Sequence, residues 1–217
     1  MKNMELLGFE KTKELLRQYK IPLVKTRLVK TKKEAKNFAK KIGWPLVLKI
    51  SSSEVLHRTE KGLVKVGIEN EKELGKAFDE IMGTVPVRGK SPAEGVLVQK
   101  MARGIEVACG MKRDVTFGPV LMFGLGGVFI ELLKDVSFAI APVNKREAME
   151  TIKKIKGYKI LKGYRGKNPV NLDGLVKVLV GISKLSMEHS EIKEIDFNPI
   201  FVDEKRIQVA DFKIIIR

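Results

Sequence analysis

Residues 42–50 read Ile42-Gly43-Trp44-Pro45-Leu46-Val47-Leu48-Lys49-Ile50, and they set the frame for the rest of the chain. Just upstream, Ala35, Phe38, Ala39 and Ile42 recur at the spacing of one helix face, and Gly43 is a stop signal. Downstream the period changes to two. Leu46, Leu48 and Ile50 fall on one strand face, with Val47 and Lys49 on the other. A helix, a sharp stop and a strand within sixteen residues make this a mixed architecture.

The same reading extends outward. Leu6, Leu7, Leu15 and Leu16 predict an opening helix that ends before Ile21-Pro22. A strand is expected over 63–68, and Leu74, Phe78 and Ile81 mark a helix. Segments 95–100 and 107–111 read as strands joined by a polar turn at Arg103-Gly104. Asn144, with Glu147 three residues on, is a capping-box signature for a helix to about Ile155. Basic, glycine-bearing 157–168 reads as a loop. Leu175, Leu179, Ile182 and Leu185 place a long helix after Asn171, and strands over 194–202 and 206–216 close the chain. The fold class this predicts is α+β (α/β).

Composition narrows the function. Of 217 residues, 44% are hydrophobic and 31% charged, so the chain buries a core and is not disordered. Its uncharged apolar run, 117–130, is broken by glycines and ends at Glu131, short of the roughly 20 residues of a membrane span. Charged residues from Lys2 to Lys11 leave no apolar signal segment, and the lone Cys109 allows no intrachain disulfide. The expected compartment is the cytoplasm. Forty-two basic against 26 acidic residues give +16, which favours an anionic partner or serves a solvated surface.

Four segments carry candidate chemistry. Lys49 on its strand could hold phosphate oxygens as a compact cation, or be a solvated strand lysine. The polar stretch 51–60 that follows holds His57, an acid, base or phosphate acceptor if it is not an ordinary surface histidine. His189 reads as structural. Gly124-Leu-Gly-Gly127, after Gly118-Pro119, admits backbone N–H groups close to an anion or makes a tight strand-to-strand turn. It is neither a Walker A loop nor Gly-x-Gly-x-x-Gly. In Glu194-Ile-Asp196-Phe-Asn198-Pro199, alternation puts Glu194, Asp196 and Asn198 on one face. A hairpin through Asp203-Glu204 would bring Asp211 beside them, an oxygen set suited to Mg²⁺.

Taken in order, these segments resemble an ATP-grasp domain. The match lies in 42–50, in His57-Arg-Thr-Glu60 and in Val96-Leu-Val-Gln99-Lys100-Met101. It is narrowed by Ile105-Glu106-Val, 117–127 and Glu194-Ile-Asp-Phe-Asn-Pro199 to the β subunits of ADP-forming acetyl-CoA synthetase, relatives of succinyl-CoA synthetase. The resemblance implies one ATP-grasp domain of two α+β subdomains, about 21–97 and 98–217, holding a nucleotide between them, with a helix before residue 21. It implies that acyl-CoA, ADP and phosphate interconvert with acid, CoA and ATP through phosphohistidine. It also implies a CoA-binding α subunit as partner, in an α2β2 heterotetramer, with neither nucleic acid nor membrane as a partner.

Residue by residue, His57 matches the relay histidine and Lys49 the phosphate-binding lysine. Gln99, Lys100 and Met101 match the hinge beside adenine, and Glu106 the ribose contact. Asn198 and Asp211 match the Mg²⁺ ligands, and Asp196 an acidic residue near the phosphohistidine. Two positions depart. Ala139, in Phe138-Ala-Ile-Ala-Pro142, stands where many relatives carry arginine, and Lys61-Gly62 where many carry paired glycines. One rival is an ATP-grasp ligase that condenses an acylphosphate with an amine and has no need of His57. From another class, a basic nucleic-acid-binding protein would need aromatics among its lysines, and aromatics are only 6% of the chain.

Overall fold

The computed structural model describes residues 4–51, 63–84, 94–166 and 168–217. In its first half the elements run β1 (Glu5–Leu6), α1 (Phe9–Gln18), β2 (Thr26–Val29), α2 (Lys32–Ile42), β3 (Leu46–Ser51), β4 (Val64–Ile68), α3 (Glu71–Thr84) and β5 (Gly95–Lys100). There follow β6 (Ile105–Asp114), β7 (Gly118–Leu125), α4 (Val128–Leu133), β8 (Val136–Ile140), α5 (Lys145–Lys153), α6 (Tyr158–Leu161) and α7 (Leu172–Glu188). The chain closes with β9 (Ile192–Val202), β10 (Ile207–Val209) and β11 (Phe212–Ile216). The contacts divide into two compact units, one comprising 8–10 and 24–101, the other the remainder.

The smaller unit is a four-stranded antiparallel sheet, β2-β5-β3-β4, with α2 and α3 on one face. Alternation in β3 works as expected: Leu46, Leu48 and Ile50 are fully buried with Val96 and Val98 of β5, Ala35 and Ala39 of α2, and Leu74 and Ile81 of α3. Burial of each large aliphatic side chain contributes about 1.5–3 kcal/mol. Helix α2 starts where the Thr31 side chain accepts the Glu34 N–H. It stops at Gly43, whose φ of 72° suits glycine and whose N–H donates to Ala39 O at 2.8 Å. The lysines of this stretch are largely answered by α3: Lys32 Nζ lies 2.7 Å from Asp79 and Lys40 Nζ 3.1 Å from Glu71.

The larger unit is a seven-stranded antiparallel sheet, β1-β11-β9-β6-β7-β8, with β10 also paired to β9. One face is packed by α5 and α7: Leu175, Leu179 and Ile182 are fully buried among Cys109, Phe123 and Phe197. The opposite face carries Glu106 and Lys112 on β6 and Glu194 and Asp196 on β9.

The structure corrects several expectations. Leu6 belongs to a short strand paired with β11, so the opening helix begins at Phe9. Strands β5 and β6 lie in different sheets, and β6 runs longer than expected, from Ile105 to Asp114. Glycine-rich 118–125 is strand β7, and 157–168 contains the short helix α6. The last predicted strand breaks at Ala210-Asp211 into β10 and β11, because both N–H groups turn to Pro199 O, at 3.0 and 3.4 Å.

Candidate functional site

Each unit presents one polar sheet face. In the smaller unit, Lys49 pairs across with Leu97 and Val47 with Gln99, so Lys49 and Gln99 share the face opposite the core. Neither is solvated: Lys49 is 7% exposed and Gln99 4%. The Thr26 hydroxyl donates to Val24 O at 3.0 Å, and Gln99 Nε2 donates to Thr26 Oγ1 at 2.8 Å. Because the Thr26 proton is committed to a carbonyl, its oxygen acts towards Gln99 as acceptor, which fixes the amide orientation. Lys100 Nζ donates to the Trp44 carbonyl, and the Met101 N–H to Pro45 O at 3.0 Å. The Trp44-Pro45 corner thus anchors Lys100 and Met101.

In the larger unit, β9 continues the alternation through Asn198. Ile195 and Phe197 are buried, Asp196 is half-buried on the other face, and Asn198 is exposed. Pairing with β6 shifts register between Val107 and Cys109, opposite Asn198-Pro199. That bulge delivers Asp211: its N–H turns to Pro199 O, and β11 starts one residue later with Phe212 opposite Phe197. Asn198 and Asp211 therefore come together at the end of the β9–β11 ladder. Lys213 stands directly across from Asp196.

Burial pushes the Asp196 carboxyl above the usual range, with Lys213 opposing and Asp211 and Glu194 pushing the same way. The donors on offer, one amide and carboxylates, are hard oxygens that fit Mg²⁺. Among the described residues no three His, Cys, Asp or Glu side chains form a metal cage. An ion held by Asn198 and Asp211 would take its other ligands from water and phosphate oxygens.

Glu106 lies on β6 at the glycine-rich segment. The Gly126 N–H donates to Glu106 O at 2.8 Å, and Cβ atoms built on Gly126 and Gly127 would meet Glu106 at 3.0 and 3.4 Å. These glycines serve close approach to Glu106 rather than a strand-to-strand turn. Ala139 pairs with Leu121 and packs on the core side, whereas Phe138 pairs with Met122 on the face of Asp196. An arginine at 139 would leave from the core side of the sheet. His189 caps α7, its Nδ1 2.8 Å from Glu191 Oε1. His57, with Lys61 and Gly62, lies outside the described residues.

Comparison with known proteins decides the family. The ATP-grasp domain family matches residues 2–216. The chain is 43% identical over 208 residues to the acetate–CoA ligase (ADP-forming) I β subunit of Pyrococcus furiosus, covering 94% of this chain and 89% of that one. The chain belongs to the ATP-grasp family of ADP-forming acetate–CoA ligase β subunits.

The acetate–CoA ligase (ADP-forming) I of Archaeoglobus fulgidus is 45% identical over 93% of this ATP-grasp chain, which spans 30% of that relative's length. Among solved structures, acetyl-coenzyme A synthetase 1 of Ca. Korarchaeum cryptofilum, in complex with coenzyme A and Ca-AMPCP, superposes with a TM-score of 0.93. It is 42% identical and covers 98% of this chain and 94% of that one. A further structure of that synthetase, with coenzyme A and Mg-AMPPCP, has its phosphohistidine segment pointing towards the nucleotide-binding site. It is 38% identical, with a TM-score of 0.85, covering 98% and 93% of the two chains.

Two residues of these faces are not singled out by the sequence pattern. Thr26 opens a four-residue strand, and only the β2–β5 register sets it beside Gln99. Lys213 could be found through its two-residue spacing from Asp211, which returns it to the face of Asp196. No helix among the described residues is long and apolar enough to cross a membrane.

Proposed function

We propose that this ATP-grasp chain is the nucleotide-binding β subunit of an ADP-forming acyl-CoA synthetase, catalysing acyl-CoA + ADP + phosphate = acid + ATP + CoA with a CoA-binding α subunit. The observation that carries the reading is the match to the Pyrococcus furiosus β subunit over 94% of this chain and 89% of that one. The two polar faces support it, because they hold the residue types that a nucleotide needs.

In this reading Lys49 meets phosphate oxygens, Gln99, Lys100 and Met101 border adenine, and Glu106 accepts hydrogen bonds from the ribose. Lys49 comes from a buried strand and is itself buried. Asn198 and Asp211 would hold Mg²⁺, which supplies neutralisation of charge on the phosphates when bound. His57 relays the phosphoryl group. The P–N bond of its phosphoimidazole breaks as a β-phosphate oxygen of ADP forms the new P–O bond, and the ring keeps the electron pair as neutral histidine. Asp196, its charge partly desolvated, orients that imidazole. The complex is α2β2, in the cytoplasm, where a lone thiol such as Cys109 stays reduced.

The test is reconstitution. The purified chain should show a raised melting temperature with Mg²⁺ and ADP and make no acyl-CoA. Added α subunit should yield CoA-dependent ATP formation. Acyl-CoA synthesis by the chain alone, or no response to nucleotide, would overturn the reading.

A further inference from the structure

The pairing that places Asp196 on its face also fixes what stands around it. Across β11 the register partner is Lys213, half-buried; across β6 it is Gly110, which offers no side chain. Side chains in register on one sheet face have Cβ atoms about 4.5–5.5 Å apart. Two residues along, Glu194 pairs with Lys112 on β6 and with Ile215 on β11. Asp211 precedes Lys213 by two residues. Glu194 and Asp211 thus flank the Asp196–Lys213 pair on this face, and Lys213, Asp211 and Glu194 all bear on Asp196 in its electrostatics.

We propose that Lys213 is a positioning residue that occupies, among Glu194, Asp196 and Asp211, the electrostatic place of a cation, so that a free divalent ion is refused and one accompanied by nucleotide phosphates is accepted. The inference rests on the nucleotide-site reading above. A fixed positive charge beside carboxylates raises the cost of a second cation by direct repulsion. Phosphates arriving with the ion reverse the sign, because Lys213 then attracts the added negative charge. Lysine suits the task as a compact charge on a long stem.

The test uses the full chain and Mn²⁺, whose free concentration is read by electron paramagnetic resonance, with and without ADP. Lys213→Met should bind free Mn²⁺ about tenfold more tightly than the unaltered chain, as expected for removal of one nearby like charge. It should lose the advantage that ADP confers on metal uptake, and Lys213→Arg should restore both properties. A merely structural lysine would leave free-ion affinity unchanged or lowered, and that result overturns the proposal. Should Lys213→Met fail to fold by circular dichroism, Lys213→Gln decides by the same measurement. If the unaltered chain takes up no Mn²⁺ with ADP, the nucleotide reading falls and the role of Lys213 with it. If it does and the variants match it in free-ion affinity, only the role of Lys213 falls.

Discussion

Gly126 lies directly against Glu106: its N–H donates to the Glu106 carbonyl at 2.8 Å, and an added Cβ would stand 3.0 Å from Glu106 Cβ and 3.1 Å from its carbonyl carbon. Backbone cannot swing aside as a flexible side chain does. Gly126→Ala should therefore cost about 1–3 kcal/mol by denaturant unfolding, as overpacked sites do. It should also weaken Mg²⁺–ADP binding by displacing Glu106. Gly75→Ala is the contrast: α3 has open space there, so alanine should add about 0.5–1 kcal/mol and leave nucleotide binding alone. Equal calorimetric affinities for the two variants would sever Glu106 from the nucleotide.

Asp211 owes its position to a bulge in a distant strand, since its N–H reaches Pro199 O and its Oδ1 accepts from the Phe212 N–H at 3.0 Å. Asp211→Asn preserves size and hydrogen-bonding reach while removing one charge. It should raise the Mg²⁺ concentration needed for nucleotide binding severalfold and leave the melting temperature of the free chain within a few degrees. An unchanged Mg²⁺ titration would count against metal ligation by Asp211.

Cys109 gives a check on the core of the larger unit. It is fully buried on β6, and burial pushes its thiol pKa well up, so both access and the thiolate are denied to an alkylating reagent. Iodoacetamide should leave the folded chain unlabelled at neutral pH and modify it in denaturant. Labelling of the folded chain at the denatured rate would show that this face of the sheet is open.

Legibility followed sequence distance. The β3 alternation, the Gly43 stop and the Asn144–Glu147 capping box are local, and each is where the pattern put it; both halves of the capping box close, at 2.8 and 3.0 Å. Glycine signals turns in isolation, yet Gly118–Leu125 is strand β7. In the sheet, Gly124 is required by packing, since a Cβ there would lie 2.8 Å from Asp135 O. The break before Asp211 carries no glycine or proline and follows from hydrogen bonds to Pro199, eleven and twelve residues earlier. At the site the same division holds. Lys49 is placed by its own strand, whereas Thr26 beside Gln99 and Lys213 across from Asp196 depend on pairing between segments far apart in the chain.

A separate cluster predicts alkaline behaviour. Tyr19 donates to Glu188 Oε2 at 2.6 Å, and its pKa is pushed from 10.0 up to about 12, by desolvation first and then by Glu188 and Glu191. The folded chain holds this proton more tightly than the unfolded one. Its contribution to stability is therefore complete below pH 10.0 and lost as pH rises towards about 12. Tyr19→Phe should flatten that part of the melting-temperature profile. Superimposable alkaline profiles would remove Tyr19 from the account.

His57 carries the sharpest expectation. Its place in the sequence is eight residues beyond Lys49, and the proposed function assigns it the phosphoryl relay. A phosphoimidazole is stable to base and labile to acid, unlike a serine ester. The reconstituted complex, incubated with Mg²⁺ and ATP, should show phosphate with that signature on His57 by peptide mass spectrometry. His57→Ala should abolish ATP formation while sparing ADP binding, because the nucleotide contacts are assigned to Lys49, Gln99, Lys100, Met101 and Glu106. In the proposed reaction the α subunit carries a first phosphorylated histidine, and the substitution should also spare its phosphorylation from acyl-CoA and phosphate, since that half-reaction precedes the relay. A surface histidine would do neither, and its loss would stay within the small effect of an ordinary exposed substitution. Near-normal turnover in the His57→Ala complex would refute the relay while leaving nucleotide binding by the chain intact.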